Sequence, residues 1–163
     1  MAIVKPFKAV RPHRDKVSLV SSKSYEFYTR EMLDSKLAFN PYTFLHIINP
    51  GHKYNKQDVS GELRFKLVHN RYLEFKENEV FKKDTVPAFY IYQKITPSNS
   101  FCGIITATSV EDYHNNVIKK HEGTLREREI LFENYLKNTG FNAEPVLLTY
   151  PDNDIITSII KKY

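Results

Sequence analysis

A second cysteine is missing from this 163-residue chain. With Cys102 alone there is no intramolecular disulfide and no cysteine-cluster metal site, a pattern that suits a reducing compartment. Long apolar runs are missing too. Met1 to Val10 carries Lys5 and Lys8 without the apolar stretch of a signal peptide, and no window approaches a membrane span, so a cytoplasmic protein with no membrane partner is expected. The zinc-protease spacing fails at His121-Glu122, because Leu125 stands where a second histidine is needed; no metal site is expected. Internal repeats and low-complexity segments are lacking. What remains is an ordinary globular composition, 41% hydrophobic and 13% aromatic, long enough for one domain with a real core. The net charge of +5 is spread through the chain among acids, which is weak support for nucleic acid.

The hydrophobic pattern reads as α+β: a mixed sheet with helices packed against it, in a single domain over 1–163. Ala2 to Val10 suits an edge strand or extended entry, and His13 to Ser24 a polar loop. Helices are expected over Tyr25 to Leu37 and Gln57 to Phe81, the latter from the spacing of Val59, Leu63, Leu67, Tyr72 and Phe75. Tyr42 to Ile48 reads as a buried strand containing a core histidine, His46. The runs Ala88 to Ile95 and Phe101 to Thr108, joined by a polar linker, read as a β-hairpin with Cys102 packed in its second strand. Val146 to Tyr150 reads as a further strand. Asp152 is placed to cap a terminal helix bearing Ile155, Ile156, Ile159 and Ile160, a narrow apolar face that needs something to pack on.

Charged chemistry concentrates between Val117 and Arg128. Thr124 and Glu127 have capping-box spacing, so Thr124 is the expected N-cap of a helix that stops near Gly140. A helix start carries unpaired N–H groups and partial positive charge; adding Lys119, Lys120, His121, Arg126 and Arg128 makes sense if an anion completes the site. The same residues also fit a solvated face neutralised by Glu127 and Glu129. Arg11, before Pro12, is a further candidate.

Several pieces in order carry a family resemblance: Val4-Lys5-Pro6-Phe7-Lys8-Ala9-Val10-Arg11-Pro12, Asn40-Pro41-Tyr42-Thr43-Phe44-Leu45-His46, Pro87-Ala88-Phe89-Tyr90-Ile91-Tyr92, Val117 to Thr124, and Asn142 to Pro151. Together they resemble the prokaryotic domain of unknown function 1015, a family that looks like a relative of the ParB/sulfiredoxin superfamily. That resemblance implies nucleotide or phosphate chemistry. On that reading the charged helix start would supply Lys119, Lys120, Thr124 and Arg126 to phosphate, with Arg11 a further phosphate candidate, His121 a hydrogen-bond donor or proton shuttle, and Glu122 a general base or Mg²⁺ ligand. The implied cofactor is a nucleoside di- or triphosphate with Mg²⁺, and the implied partner a nucleotide or phosphorylated small molecule. Family members are longer and carry an Asp-Gly-His-His-Arg motif beyond the region matched here, so the chain is expected to be an N-terminal part that works with a C-terminal remainder. Ser22-Lys23-Ser24-Tyr25-Glu26 departs from the family's Pro-Pro-Tyr-Asp. A non-enzymatic binding module for nucleotide, RNA or protein, or a structural half-domain, is the alternative.

Overall fold

The computed structural model describes residues 2–23, 27–49, 61–119, 123, 126–143, 146–151 and 153–162. In chain order the elements are β1 (Val4–Lys5), β2 (Val10–Pro12), a 3₁₀ turn (Arg14–Lys16), α1 (Val17–Val20), α2 (Arg30–Phe39), α3 (Leu45–Ile48), α4 (Gly61–Glu77), β3 (Phe81–Lys83), β4 (Tyr90–Ile95), β5 (Ser100–Ile105), β6 (Ala107–Thr108), α5 (Val110–His114), α6 (Arg126–Thr139) and α7 (Asp154–Lys162). The class is α+β. The strands pair as three antiparallel two-stranded ribbons, β1–β6, β2–β3 and β4–β5, so no mixed sheet forms among the described residues. The chain divides into two compact units.

The helical unit comprises Val10–Lys83 and Thr124–Phe141. Its organiser is α4. Val68 and Phe75 are buried and Phe65 and Tyr72 half-buried, which puts residues at i, i+3, i+7 and i+10 on one face, whereas Leu63 faces solvent. That face meets α6 through Phe65 against Tyr135, ring centroids 5.6 Å apart, and through His69 Nδ1, 2.7 Å from the Thr139 carbonyl. Val20, Ile47, Val68, Phe75 and Val80 form the buried cluster, with Phe44, Tyr72, Phe81, Tyr135 and Phe141 packed on it. The rings touch in tilted and edge arrangements, Tyr72 with Phe141 at 4.4 Å and Phe75 with Phe81 at 5.6 Å, the geometry that aromatic quadrupoles prefer. Burial raises the Tyr72 phenol above its ordinary pKa.

Tyr42 to Ile48 turns out to hold a one-turn helix instead of the expected strand. Its apolar run is buried on both sides: Leu45 joins Leu33 and Leu37 in a second cluster, and Ile47 joins the main one. A short apolar run fits either state by periodicity, and this one is held by backbone bonds from Phe44 N–H to Val20 and from His46 N–H to Thr43, both 3.0 Å. His46 is indeed a core residue, with Nε2 3.1 Å from the Asn40 carbonyl. Two further boundaries move. α2 starts at Arg30, because Thr29 accepts from Met32 N–H at 3.3 Å and caps it, and the expected loop after His13 contains the 3₁₀ turn and α1.

α4 ends in a Schellman arrangement: Val80 N–H reaches the Phe75 carbonyl at 2.8 Å and Glu79 N–H the Lys76 carbonyl at 3.1 Å. Glu79 occupies the left-handed position with φ 54°, where glycine has no steric penalty. Glu79→Gly is therefore expected to raise stability by about 0.5–1 kcal/mol, read as a melting-temperature increase of a few degrees. At the corresponding end of α6 the sequence already has Gly140, φ 70°, as expected.

The ribbon unit comprises Met1–Ala9, Asp84–Gly123 and Asn142–Tyr163. The expected hairpin is present, in register from Tyr90↔Ile105 to Ile95↔Ser100, with Thr96 N–H closing the turn onto the Asn99 carbonyl at 2.7 Å. Cys102 lies on β5 but is exposed, because a two-stranded ribbon has too few neighbours to cover both faces. Val146–Tyr150 forms no strand; its apolar side chains are exposed and no described strand pairs with it. α7 is present, and Asn153 Oδ1 accepts from Ile155 and Ile156 N–H, each at 3.1 Å, which is the capping role assigned from sequence to Asp152, a residue outside those described. No helix among the described residues is long and apolar enough to cross a membrane.

Candidate functional site

Lys120, His121, Glu122 and Thr124 lie outside the described residues, so the centre of the charged stretch and its proposed N-cap have no structural description. The flanks do. Lys119 follows α5 in the ribbon unit and is exposed. Arg126 opens α6 in the helical unit, with Arg128 beside it, both exposed. α6 runs for 14 residues and carries Glu127 and Glu129 in its first turn, as a helix start favours.

Electrostatics along α6 are local. Glu133 is held below the ordinary carboxylate pKa by the hydrogen bond and charge of Lys137, whose Nζ is 2.7 Å away, and by a smaller attraction from Arg126. Arg126 thus acts weakly on its own helix, and the residue is exposed. An exposed guanidinium keeps its five donors in a fork suited to phosphate oxygens.

Arg11 lies on β2 with Lys82 directly opposite on β3. Residues directly opposite in an antiparallel pair project to the same face, so the ribbon carries two like charges side by side, an arrangement that costs stability unless an anion or acid is near. The sequence showed Lys82 only as part of a charged run; its pairing with Arg11 spans the length of α1 to α4 and leaves no local signal.

In the ribbon unit the sequence missed two polar anchors. Tyr90 has its hydroxyl tied down: it accepts from Ala9 N–H at 3.0 Å and donates to Asp84 Oδ2 at 2.6 Å, while its ring packs 5.1 Å from Phe7. Tyr92 is exposed. Asp112, buried at the start of α5, accepts from Ile3 N–H at 2.6 Å. No group of three or more histidine, cysteine or carboxylate side chains suited to a metal ion occurs among the described residues.

Fold and surface together define a small α+β protein whose helix α6 opens on two exposed arginines, Arg126 and Arg128. The chain belongs to the family described as protein of unknown function (DUF1015), whose model matches residues 4–163. No curated protein and no solved structure gives a significant match.

Proposed function

We propose that this chain is the phosphate-binding part of a nucleotide-dependent, phosphotransferase-like cytoplasmic protein. The observation that carries the reading is the run of bases from Lys119 to Arg128 entering α6, whose first described residue, Arg126, is exposed. Lys119, Lys120, Thr124 and Arg126 are the residues assigned to phosphate, with Arg11 a further candidate. A kinship of this family with the ParB/sulfiredoxin superfamily, itself part of the proposal, would fit the same chemistry. Phosphoryl transfer depends chiefly on positioning and charge stabilisation, which a cationic cluster supplies. His121 would donate a hydrogen bond or shuttle a proton, and Glu122 would serve as general base or, with nucleotide phosphates, hold Mg²⁺, an ion that commonly takes one or two protein carboxylates.

The test is a thermal-shift and calorimetric screen with ATP, ADP, CTP, phosphate and pyrophosphate, with and without Mg²⁺. A ligand at a hundred times its dissociation constant should stabilise the chain by about 2.7 kcal/mol. The shift should vanish in Lys120→Ala/His121→Ala while the fold is retained. Absence of heat and shift with every nucleotide sinks the proposal.

A second reading, a structural or protein-binding half without its own chemistry, is favoured by the apolar side chains left in solvent in the ribbon unit. Leu147 is 89% exposed, Val146 74%, Ile95 73% and Ile155 72%, apolar surface that a partner could cover. A silent nucleotide screen would favour this reading.

A further inference from the structure

We propose that the helical unit contains a binding site for a small apolar carboxylate, independent of the basic stretch. A cavity of about 230 Å³ lies beside the C-terminal half of α4, walled by Pro41, Tyr42, Phe75 and Val80 and bordered by Arg71 and Glu74. It is smaller than the roughly 300–1,000 Å³ of pockets for drug-sized ligands, so its occupant is of the size of one ring bearing one acid group.

The charge buried in its wall gives the site its chemistry. The Arg71 side chain is only 11% exposed. Its Nη1 pairs with Glu74 Oε2, and its Cζ sits 5.3 Å from the centre of the Phe75 ring. Yet Nε is buried with no hydrogen-bond partner. An unsatisfied donor on a buried charged group is rare and costly, and a ligand that supplies the missing acceptor would remove that cost. Because Glu74 takes Nη1, the Nε edge is the one left for a carboxylate, which can accept from a guanidinium in side-on, two-bond geometry. Because Nε is fully buried in the wall, binding on this proposal requires the Arg71 side chain to turn its Nε edge to the cavity. Meanwhile Tyr42 and Pro41, the exposed part of the lining, receive the apolar body.

The nearby Glu74 carboxylate opposes a second negative charge, so affinity is expected to be modest, on the order of 1 mM for a fragment of this size. It also disfavours phosphate, which brings more charge and no apolar body.

The test uses the full chain, phenylacetate as probe, and the Arg71 Nε–H resonance with the α4 amides as the readout. Phenylacetate should move that resonance saturably, whereas phenylacetamide, its neutral counterpart, and inorganic phosphate should not. Arg71→Gln should abolish saturation while α4 amides remain dispersed. Should Arg71→Gln fail to fold, Tyr42→Ala, in an exposed part of the wall, should weaken phenylacetate several-fold. An Arg71 signal unmoved by phenylacetate, moved equally by phosphate or phenylacetamide, or moved with unchanged affinity in Tyr42→Ala overturns the proposal.

Discussion

Phe75→Ala is expected to destabilise the protein by about 3–5 kcal/mol, the range for removing a fully buried aromatic ring. Phe75 is 4% exposed and reaches Phe81, the guanidinium of Arg71 and the rest of the main cluster. Three losses coincide. The ring's transfer energy disappears, a void opens among rigid neighbours, and Arg71 loses the aromatic face that partly compensates its burial. Its backbone carbonyl also accepts the bond that ends α4, so a shift of the helix end would disturb Val80 in the same cluster. Against a typical total stability of about 5–15 kcal/mol, the variant should melt on the order of 10 °C lower or fail to fold. Phe39→Ala provides the control. Phe39 is also on a helix but 86% exposed, and its removal should change stability by no more than about 0.5 kcal/mol. Chemical denaturation of the two variants side by side checks both, and equal losses would contradict this account of the core.

The contrast between Phe75 and Phe39 also shows what a sequence discloses. Apolar spacing over several turns located α4, α6 and α7, and Gly140 marked the end of α6, because these signals are local. The hairpin was legible for the same reason, being two β-rich runs beside each other. Short elements were not. β1, β2, β3 and β6 span two or three residues each, too few for a period, and their partners lie far along the chain. The run around Leu45 was misread because burial on all sides removes the alternation that separates strand from helix. Val146–Tyr150 has strand composition, but composition cannot supply a neighbouring strand, and none is paired with it among the described residues. For the candidate site, Lys119, Arg11 and Arg126 are exposed bases as their residue types suggested. The burial of Arg71 left no trace in the sequence, since an arginine three residues before a glutamate on a helix is ordinarily a solvated pair.

Asp112 gives the second large effect, on local rather than global stability. Its carboxylate is 7% exposed and accepts from Ile3 N–H at 2.6 Å across 109 residues of chain. Its own carbonyl accepts from Ile118 N–H at 2.9 Å, so one residue fastens both the start of the chain and the segment leaving α5. Around it β1 pairs with β6 through Val4↔Thr108 and Lys5↔Ala107, and the next fixed point along the segment is the bridge between Phe7 and Ala88. A ribbon that short cannot hold itself, so the charge-assisted bond should set how often β1 opens. Hydrogen bonds to charged groups contribute about 1.5–3 kcal/mol. Asp112→Ala should therefore speed hydrogen exchange at the Ile3 and Lys5 amides roughly 10- to 100-fold, with the amides of α4 in the helical unit little changed. Asp112→Asn keeps an oxygen acceptor without the charge and should fall between. Exchange at wild-type rates in Asp112→Ala would mean that the ribbon's own bonds suffice, and graded loss across Asn and Ala would identify the carboxylate as what holds the N-terminal strand in place.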